Sequence, residues 1–182
     1  NLQMQTCRAA MVAGVCMQLH SRSFAAFGAL HALSPDGQCK TFDESGDGYG
    51  RAEACGAVLL GRMDRVEGSD VGGSGGSTVV PPPPLAYVRG TATSQGGKSA
   101  SFMAPNGPAQ QAVIRSAMRG GVVEKELVQH VECHGTGTSL GDPIEVAAVG
   151  QVLGVGQSTE TGQKTPALTL GALKSCVGHS EG

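Results

Sequence analysis

The stretch VECHGTGTSLGDPIE at residues 131–145 decides the fold class of this chain. The residues that enter it predict a strand at residues 129–133, and the glycines that follow predict a loop whose backbone approaches its neighbours closely. The motif DPIE is typical of a helix start, with Asp142 at the cap, a proline in the first turn and a glutamate three residues after the cap. We expect this helix to end at Gly154. The stretch therefore predicts a strand–loop–helix unit.

The rest of the chain repeats this pattern of short apolar runs and helical segments. We predict further strands at residues 8–15, 55–60, 85–93 and 167–173, of which the first, second and last are expected to be buried. Two further helices are predicted, one after Ser21 or Ser23 as its cap and one that opens at Pro108. Strands that alternate with helices in this way predict an α/β fold with a mainly parallel sheet.

A Gly/Ser-rich tract followed by four consecutive prolines interrupts the pattern at residues 67–84. Four prolines in a row fit neither a helix nor the interior of a sheet, so we interpret this segment as a surface insertion. The predicted organisation is one half of a domain at residues 1–66, the insertion, and a second half at residues 85–182.

The composition excludes several functional classes. The formal net charge is −2, and the chain has no Trp, two Tyr and four Phe. Nucleic-acid binding needs a basic surface and, for single strands, aromatic platforms, so we do not expect a nucleic-acid partner. No apolar run is long enough to predict a transmembrane helix.

The six cysteines are scattered, and no pair has the C-x-x-C spacing of a zinc site or a redox motif. We expect most of them to behave as small buried apolar residues in a reducing compartment. The predicted location is the cytoplasm, with a plastid as the alternative.

Chemically reactive residues follow two of the predicted strands. His134 comes directly after one strand, and Lys174 and His179 come after another. Functional groups of α/β proteins collect in loops beyond the carboxyl ends of strands, so these residues are candidates for one site. The Gly-rich segment GDGYGRAE at residues 46–53 is interpreted as a structural loop that supports that site.

An alternative uses the same region differently. His130, Glu132 and His134 alternate along a predicted strand, so all three could face one side and bind a metal ion. This pattern leaves a small metal-binding module open as an alternative function.

Four long motifs together resemble the ketosynthase domains of polyketide synthases and of related fatty-acid condensing enzymes. The stretch at residues 131–145 is similar to the family pattern VEAHGTGTxLGDPIE, with Cys133 where Ala is usual. LGALKSCVGHSEG at residues 170–182 is similar to the segment KxNIGHxEAAAG, with Cys176 where Asn is usual. HALSPDGQCKTFDESGDGYGRAEACGAVLL at residues 31–60 and APNGPAQQAVIRSA at residues 104–117 match two further segments.

The resemblance implies a thiolase-like layered αβαβα fold, of which this chain holds the end of the N-terminal half and most of the C-terminal half. It implies a decarboxylative Claisen condensation of an acyl thioester with malonyl on an acyl carrier protein. His134, His179 and Lys174 match the catalytic positions, and Thr136 and Thr138 match hydroxyls that hold the phosphopantetheine arm of the carrier. For the acidic residues of DPIE, a helix-capping role is a sufficient explanation.

The nucleophile implied by the resemblance is a cysteine in a Thr-Ala-Cys-Ser-Ser setting, which no cysteine here has, Cys7 included. We therefore expect the chain alone to be inactive. Because it holds only part of the fold and leaves strand edges unpaired, we also expect it to be poorly soluble or partly unfolded. The resemblance implies that the parent enzyme is a homodimer. No directly bound cofactor and no metal are expected. The alternatives are a fatty-acid β-ketoacyl synthase and a noncatalytic ketosynthase-like partner subunit.

Overall fold

The computed structural model describes residue 7 and residues 9–62, 83–97, 104–154 and 167–181. The chain forms two compact units, one with residues 1–16, 54–87 and 182, and the other with residues 17–53 and 88–181. The predicted insertion at residues 67–84 lies outside the described residues except for its last two prolines. The predicted division of the chain into two halves around it stays a prediction.

The first unit contains an antiparallel pair of strands. Strand β1 (Ala9–Cys16) pairs with β2 (Ala54–Gly61) in unbroken register, with Met11 opposite Leu59. Both predicted strands are confirmed, but their predicted burial is wrong, because Met11 is 77% and Leu59 78% exposed. Among the described residues these strands pair only with each other, so their apolar side chains have little to pack against.

The second unit contains a short parallel pair. Strand β3 (His130–Glu132) lies beside β4 (Thr169–Gly171), with Val131 opposite Leu170. The predictions at residues 129–133 and 167–173 are therefore confirmed in shortened form. The predicted mainly parallel sheet is wrong for the described residues, which form one antiparallel and one parallel pair.

The strand predicted at residues 85–93 is also wrong, since these residues form no strand pairing. Gly90 instead lies so close to the backbone of Gly121 that a Cβ atom on Gly90 would be 2.6 Å from the Gly121 main-chain nitrogen. The segment packs against the end of a helix, and its β-type sequence is not matched by a neighbouring strand.

The described residues of the second unit form four α-helices. They are α1 (Ser21–Ala29), α2 (Gly107–Gly121), α3 (Gly141–Leu153) and the single-turn α4 (Lys174–Val177), with a 3-10 turn at Lys125–Leu127. No helix in the described part of the chain has the length and apolar character needed to cross a membrane.

The helix ends differ in part from the predictions. The cap of α1 is His20, whose Nδ1 accepts a hydrogen bond from the Arg22 N–H at 2.9 Å, so the predicted Ser21 or Ser23 cap is wrong. Helix α2 begins one residue before Pro108, behind Asn106 as the cap. Helix α3 ends at Gly154 as predicted, where φ is +77°.

The buried apolar residues of the second unit are small. Helices α2 and α3 pack together, and the buried set is Ala32, Cys39, Cys133, Ala148 and Val149. The expectation for the cysteines is confirmed for Cys39 and Cys133 only. It is wrong for Cys55 and Cys176, which are exposed.

Candidate functional site

The parallel pairing of β3 with β4 brings two loops together. His134 lies in the first histidine loop (residues 133–138) and His179 in the second histidine loop (residues 174–181). Their ring centroids are 5.1 Å apart and their planes meet at 89°, an edge-to-face contact. The chain thus brings together the two histidines that the sequence analysis singled out, about 45 residues apart in the chain.

The first histidine loop depends on two glycines with positive φ. Gly135 has φ +48° and Gly137 φ +78°. A Cβ atom on Gly137 would lie 2.5 Å from the main-chain nitrogen of Lys40, so no larger residue fits without a shift of the backbone.

Residues 39–50 brace this loop. The Thr41 hydroxyl donates a hydrogen bond to the Gly135 carbonyl at 2.5 Å, and the Gly48 N–H donates to the Gly137 carbonyl at 3.2 Å. The interpretation of the Gly-rich segment at residues 46–53 as a supporting loop is therefore confirmed for its contact with the first histidine loop.

Two carboxylates near the start of α3 hold the same loop. Glu145 accepts hydrogen bonds from the main-chain N–H groups of His134 at 2.5 Å and Gly135 at 2.9 Å. The buried Asp142 accepts from the N–H groups of Phe42 at 2.9 Å and Gly137 at 3.2 Å. These bonds give fixed acceptors to the N–H groups of the loop, including those of the buried Gly135 and Gly137.

The helix-capping role expected for Asp142 and Glu145 is therefore wrong. The residue at the cap of α3 is Leu140, and it makes no side-chain capping bond. The loop folds back toward α3, so that the carboxylates accept hydrogen bonds from the N–H groups of the loop and not from those of the helix. Two acidic residues three apart after a Gly-rich loop were the available signal for this role.

The second histidine loop is fixed by a short main-chain bridge. The His179 N–H donates to the Gly50 carbonyl at 2.7 Å, and the Ala52 N–H donates to the His179 carbonyl at 2.9 Å. The Glu181 N–H donates to His179 Nδ1 at 3.3 Å. Because Nδ1 is an acceptor here, we assign the proton of the neutral ring to Nε2.

The side chains of Arg51, Tyr49 and Glu181 form a charged group around Glu181, and its members were not predicted from the sequence. The Glu181 carboxylate accepts from the Arg51 guanidinium and from the Tyr49 hydroxyl, each at 2.5 Å. The Tyr49 ring meets the His179 ring edge-on, with centroids 5.2 Å apart. Arg51 and Tyr49 lie in the supporting loop, and only the tertiary contact links them to His179.

Burial and positive charge act on both imidazoles. Desolvation lowers the pKa of His134, and the charge of Lys174 lowers it further. Desolvation also lowers the pKa of His179, and the nearby charges of His134 and Lys174 lower it further. Both rings are therefore neutral at neutral pH.

The other residues singled out from the sequence lie around the two histidines. Lys174 is the first residue of α4 and is half-buried. Thr136 is buried. The Thr138 hydroxyl accepts a hydrogen bond from the Gly141 N–H at 3.1 Å, at the start of α3.

The metal-module alternative finds no support in this geometry. No group of three or more His, Cys, Asp or Glu side chains among the described residues could hold a metal ion. The His130 ring lies 3.7 Å from one Glu132 oxygen, and the other oxygen accepts the Leu173 N–H at 2.5 Å. Glu132 thus ties β3 to the residue before α4.

Two family models match the chain. Residues 1–65 match the beta-ketoacyl synthase N-terminal domain, and residues 85–182 match the beta-ketoacyl synthase C-terminal domain.

Curated relatives point the same way. One protein of the phenolphthiocerol/phthiocerol polyketide synthase of Mycobacterium tuberculosis is 40% identical over 181 residues, which is 100% of this chain and 9% of that protein. Mellein synthase of Phaeosphaeria nodorum is 39% identical over 176 residues, 96% of this chain and 9% of that protein. The chain thus spans about a tenth of the length of these relatives.

Solved ketosynthase structures are similar to the chain over nearly all of its length. The oxazolomycin ketosynthase domain of Streptomyces albus superposes with a TM-score of 0.82 at 32% identity, covering 98% of this chain and 28% of that one. The ketosynthase from module 6 of the bacillaene synthase of Bacillus subtilis gives 0.80 at 30% identity, covering 98% and 29%. The predicted thiolase-like α/β fold class is confirmed. The chain belongs to the β-ketoacyl synthase family, and it represents part of a ketosynthase domain of the polyketide synthase type.

Proposed function

We propose that the chain supplies the charge-stabilising part of a ketosynthase site that performs decarboxylative Claisen condensation in polyketide synthesis. The observation that carries the proposal is the edge-to-face pair of His134 and His179, 5.1 Å apart on two loops that follow parallel strands. Two neutral imidazoles with an adjacent lysine form a partly desolvated donor set, which suits an oxyanion.

In the proposed reaction, the carbon–carbon bond to the malonyl carboxylate breaks and carbon dioxide leaves. The electron pair of that bond moves onto the thioester as an enolate, whose oxygen accepts hydrogen bonds from the N–H groups of His134 and His179. The enolate carbon then attacks the acyl thioester, and the thiolate that held the acyl group is released. Lys174 contributes by keeping both imidazoles neutral, through the lowering of their pKa described above.

The malonyl group arrives on the phosphopantetheine arm of an acyl carrier protein, which is a substrate carrier rather than a resident cofactor. We propose that Thr136 and Thr138 bind this arm. Support comes from the first histidine loop, where both lie within a few residues of His134. The Thr138 oxygen already accepts the Gly141 N–H, so its own proton remains to be donated.

We further propose that none of the six cysteines acts as the nucleophile and that the chain alone is inactive. Burial, with the charges of Glu145, Glu132 and Asp142, raises the pKa of Cys133 to about 11, which disfavours its thiolate. Cys39 is buried, and its sulfur interacts with the main chain of Gly50. We also propose that the parent enzyme is a homodimer and that it is located in the cytoplasm, with a plastid as the alternative.

Two measurements test this function. The full-length polypeptide is given a malonyl thioester of pantetheine, and carbon dioxide release is expected. The 182-residue chain alone is given an acyl thioester, and mass spectrometry is expected to find none of its six cysteines acylated. No carbon dioxide from the full-length polypeptide would favour the noncatalytic partner role. An acyl group on the exposed Cys176 would overturn the proposal about the nucleophile.

A further inference from the structure

The charged group around Glu181 extends from the candidate site to helix α1. The Arg51 side chain is 6% exposed, so its guanidinium is a buried cation. It lies 5.0 Å from the ring centroids of Phe24 and Phe27, and its Nη1 donates to the Ser23 hydroxyl at 2.7 Å. Because a buried charge needs a fixed partner, these contacts hold the guanidinium in one place and direct its other nitrogen to Glu181.

Glu181 has an unusual backbone. Its φ is +51°, in the left-handed region that residues with a side chain rarely adopt. Such a conformation persists only where the surrounding structure holds it, and the two bonds to the Glu181 carboxylate from Arg51 and Tyr49 provide that hold. In this conformation the Glu181 N–H donates to His179 Nδ1.

The bond to Nδ1 decides where the ring proton resides. With Nδ1 as an acceptor, Nε2 carries the proton and can donate to an oxyanion. If the Glu181 N–H moved away, the neutral ring could place its proton on Nδ1, and the lone pair on Nε2 would then repel the same oxyanion.

We propose that Arg51 is a positioning residue for His179: through the Glu181 carboxylate and main chain it keeps the imidazole in the Nε2–H tautomer. This rests on the proposed function of His179 as a donor to the enolate. It adds a residue that lies 128 positions earlier in the chain and belongs to a different loop from the histidine it serves.

The test compares Arg51→Gln with Arg22→Gln in the full-length polypeptide. Arg22 is an exposed arginine of α1 and serves as the matched control. The first readout is the tautomer of His179, from nitrogen NMR of ring-labelled histidine, assigned by difference from a His179→Gln sample. We expect Nε2–H in the wild type and in Arg22→Gln, and a mixture of tautomers in Arg51→Gln.

The second readout is malonyl decarboxylation. In Arg51→Gln we expect kcat to fall about 10–100-fold with KM nearly unchanged, because the donor is misplaced while substrate binding is not. Arg51→Lys, which keeps a cation for Glu181, is expected to recover part of that loss. A folded Arg51→Gln variant with the wild-type tautomer and kcat would overturn the proposal.

If Arg51→Gln does not fold, Tyr49→Phe and Arg51→Lys decide. Tyr49→Phe keeps the ring contact with His179 and removes the other bond to Glu181, so a partial shift of the tautomer is expected. An unchanged tautomer in both variants overturns the proposal. If the wild type releases no carbon dioxide, the proposed function fails, whereas the NMR comparison still decides the role of Arg51.

Discussion

In the first histidine loop the stabilising carboxylates lie on the helix that follows, whereas in the second histidine loop the carboxylate belongs to the loop itself and its partners lie far away in sequence. Glu145 is 11 residues from His134, but the partners of Glu181, Tyr49 and Arg51, are 132 and 130 residues away. The carboxylates that hold the main chain of the first loop are therefore local in sequence, and residues 39–50 add contacts from far along the chain. The second is fixed by tertiary contacts, which reach the histidine ring itself.

The largest expected effect comes from removing either ring. We expect His134→Ala and His179→Ala each to lower malonyl decarboxylation by the full-length polypeptide about 10²–10³-fold, because each removes a preorganised donor to the enolate oxygen. Circular dichroism checks that the fold is kept. His130→Ala is the control, since His130 is an exposed residue of β3 outside the histidine pair. Normal decarboxylation rates in both variants would show that the two loops do not form one site.

The next largest effect is on the stability of the first histidine loop. Gly137→Ala should lower the free energy of unfolding by about 3 kcal/mol, since alanine at positive φ is strained and its Cβ would meet the backbone of Lys40. Gly28→Ala in α1 is the control, because a Cβ there meets nothing within 4 Å. Alanine in a helix should instead raise stability by up to about 1 kcal/mol. Urea unfolding measures both, and an unchanged stability of Gly137→Ala would contradict the described loop geometry.

A smaller effect is expected for Glu145→Gln. The amide offers one acceptor oxygen in place of two charged ones, so one of the N–H groups of His134 and Gly135 loses its partner, at a cost of about 1–2 kcal/mol. Decarboxylation should fall about tenfold, while the tautomer of His179 stays as in the wild type. Glu44→Gln, at an exposed glutamate, should change neither quantity. A change in the His179 tautomer would mean that the two loops are not held independently.

The smallest effect is on the pH dependence of stability. The pKa values of His134 and His179 are lowered in the folded chain, so the unfolded chain binds protons at higher pH than the folded one. Stability should therefore decrease as pH falls below about 6.5 and level off below the folded pKa values. Urea unfolding between about pH 8 and about pH 5 measures this decrease, which should be shallower when both histidines are replaced by glutamine. An equally steep decrease in that double variant would assign it to other groups.

Most of the elements were accessible from the sequence because their signals are local. Apolar runs predicted β1, β2 and β4, and the short segment at residues 129–133 predicted β3. Pro108 and Gly154 marked helix ends, and two motifs placed His134 and His179 after strands. The strand predicted at residues 85–93 failed because a strand needs a partner, and this segment instead packs by Gly90 against the end of α2. The burial expected for Met11 and Leu59 failed for the related reason that a sheet face is buried only by another layer.

The sequence by itself determined the family of this protein and the identity of both imidazoles, since long ordered motifs and strand–loop patterns are properties of neighbouring residues. The role predicted for Asp142 and Glu145 was wrong, because acidic residues at a helix start usually cap that helix. The N–H groups that they bind come within reach only when the loop folds back. Only the tertiary structure decided that Arg51 and Tyr49 converge on Glu181 and, through it, on His179. The physical reason is that hydrogen bonds and buried ion pairs act over a few ångströms, so a partner more than 100 residues away leaves no periodic signal along the chain.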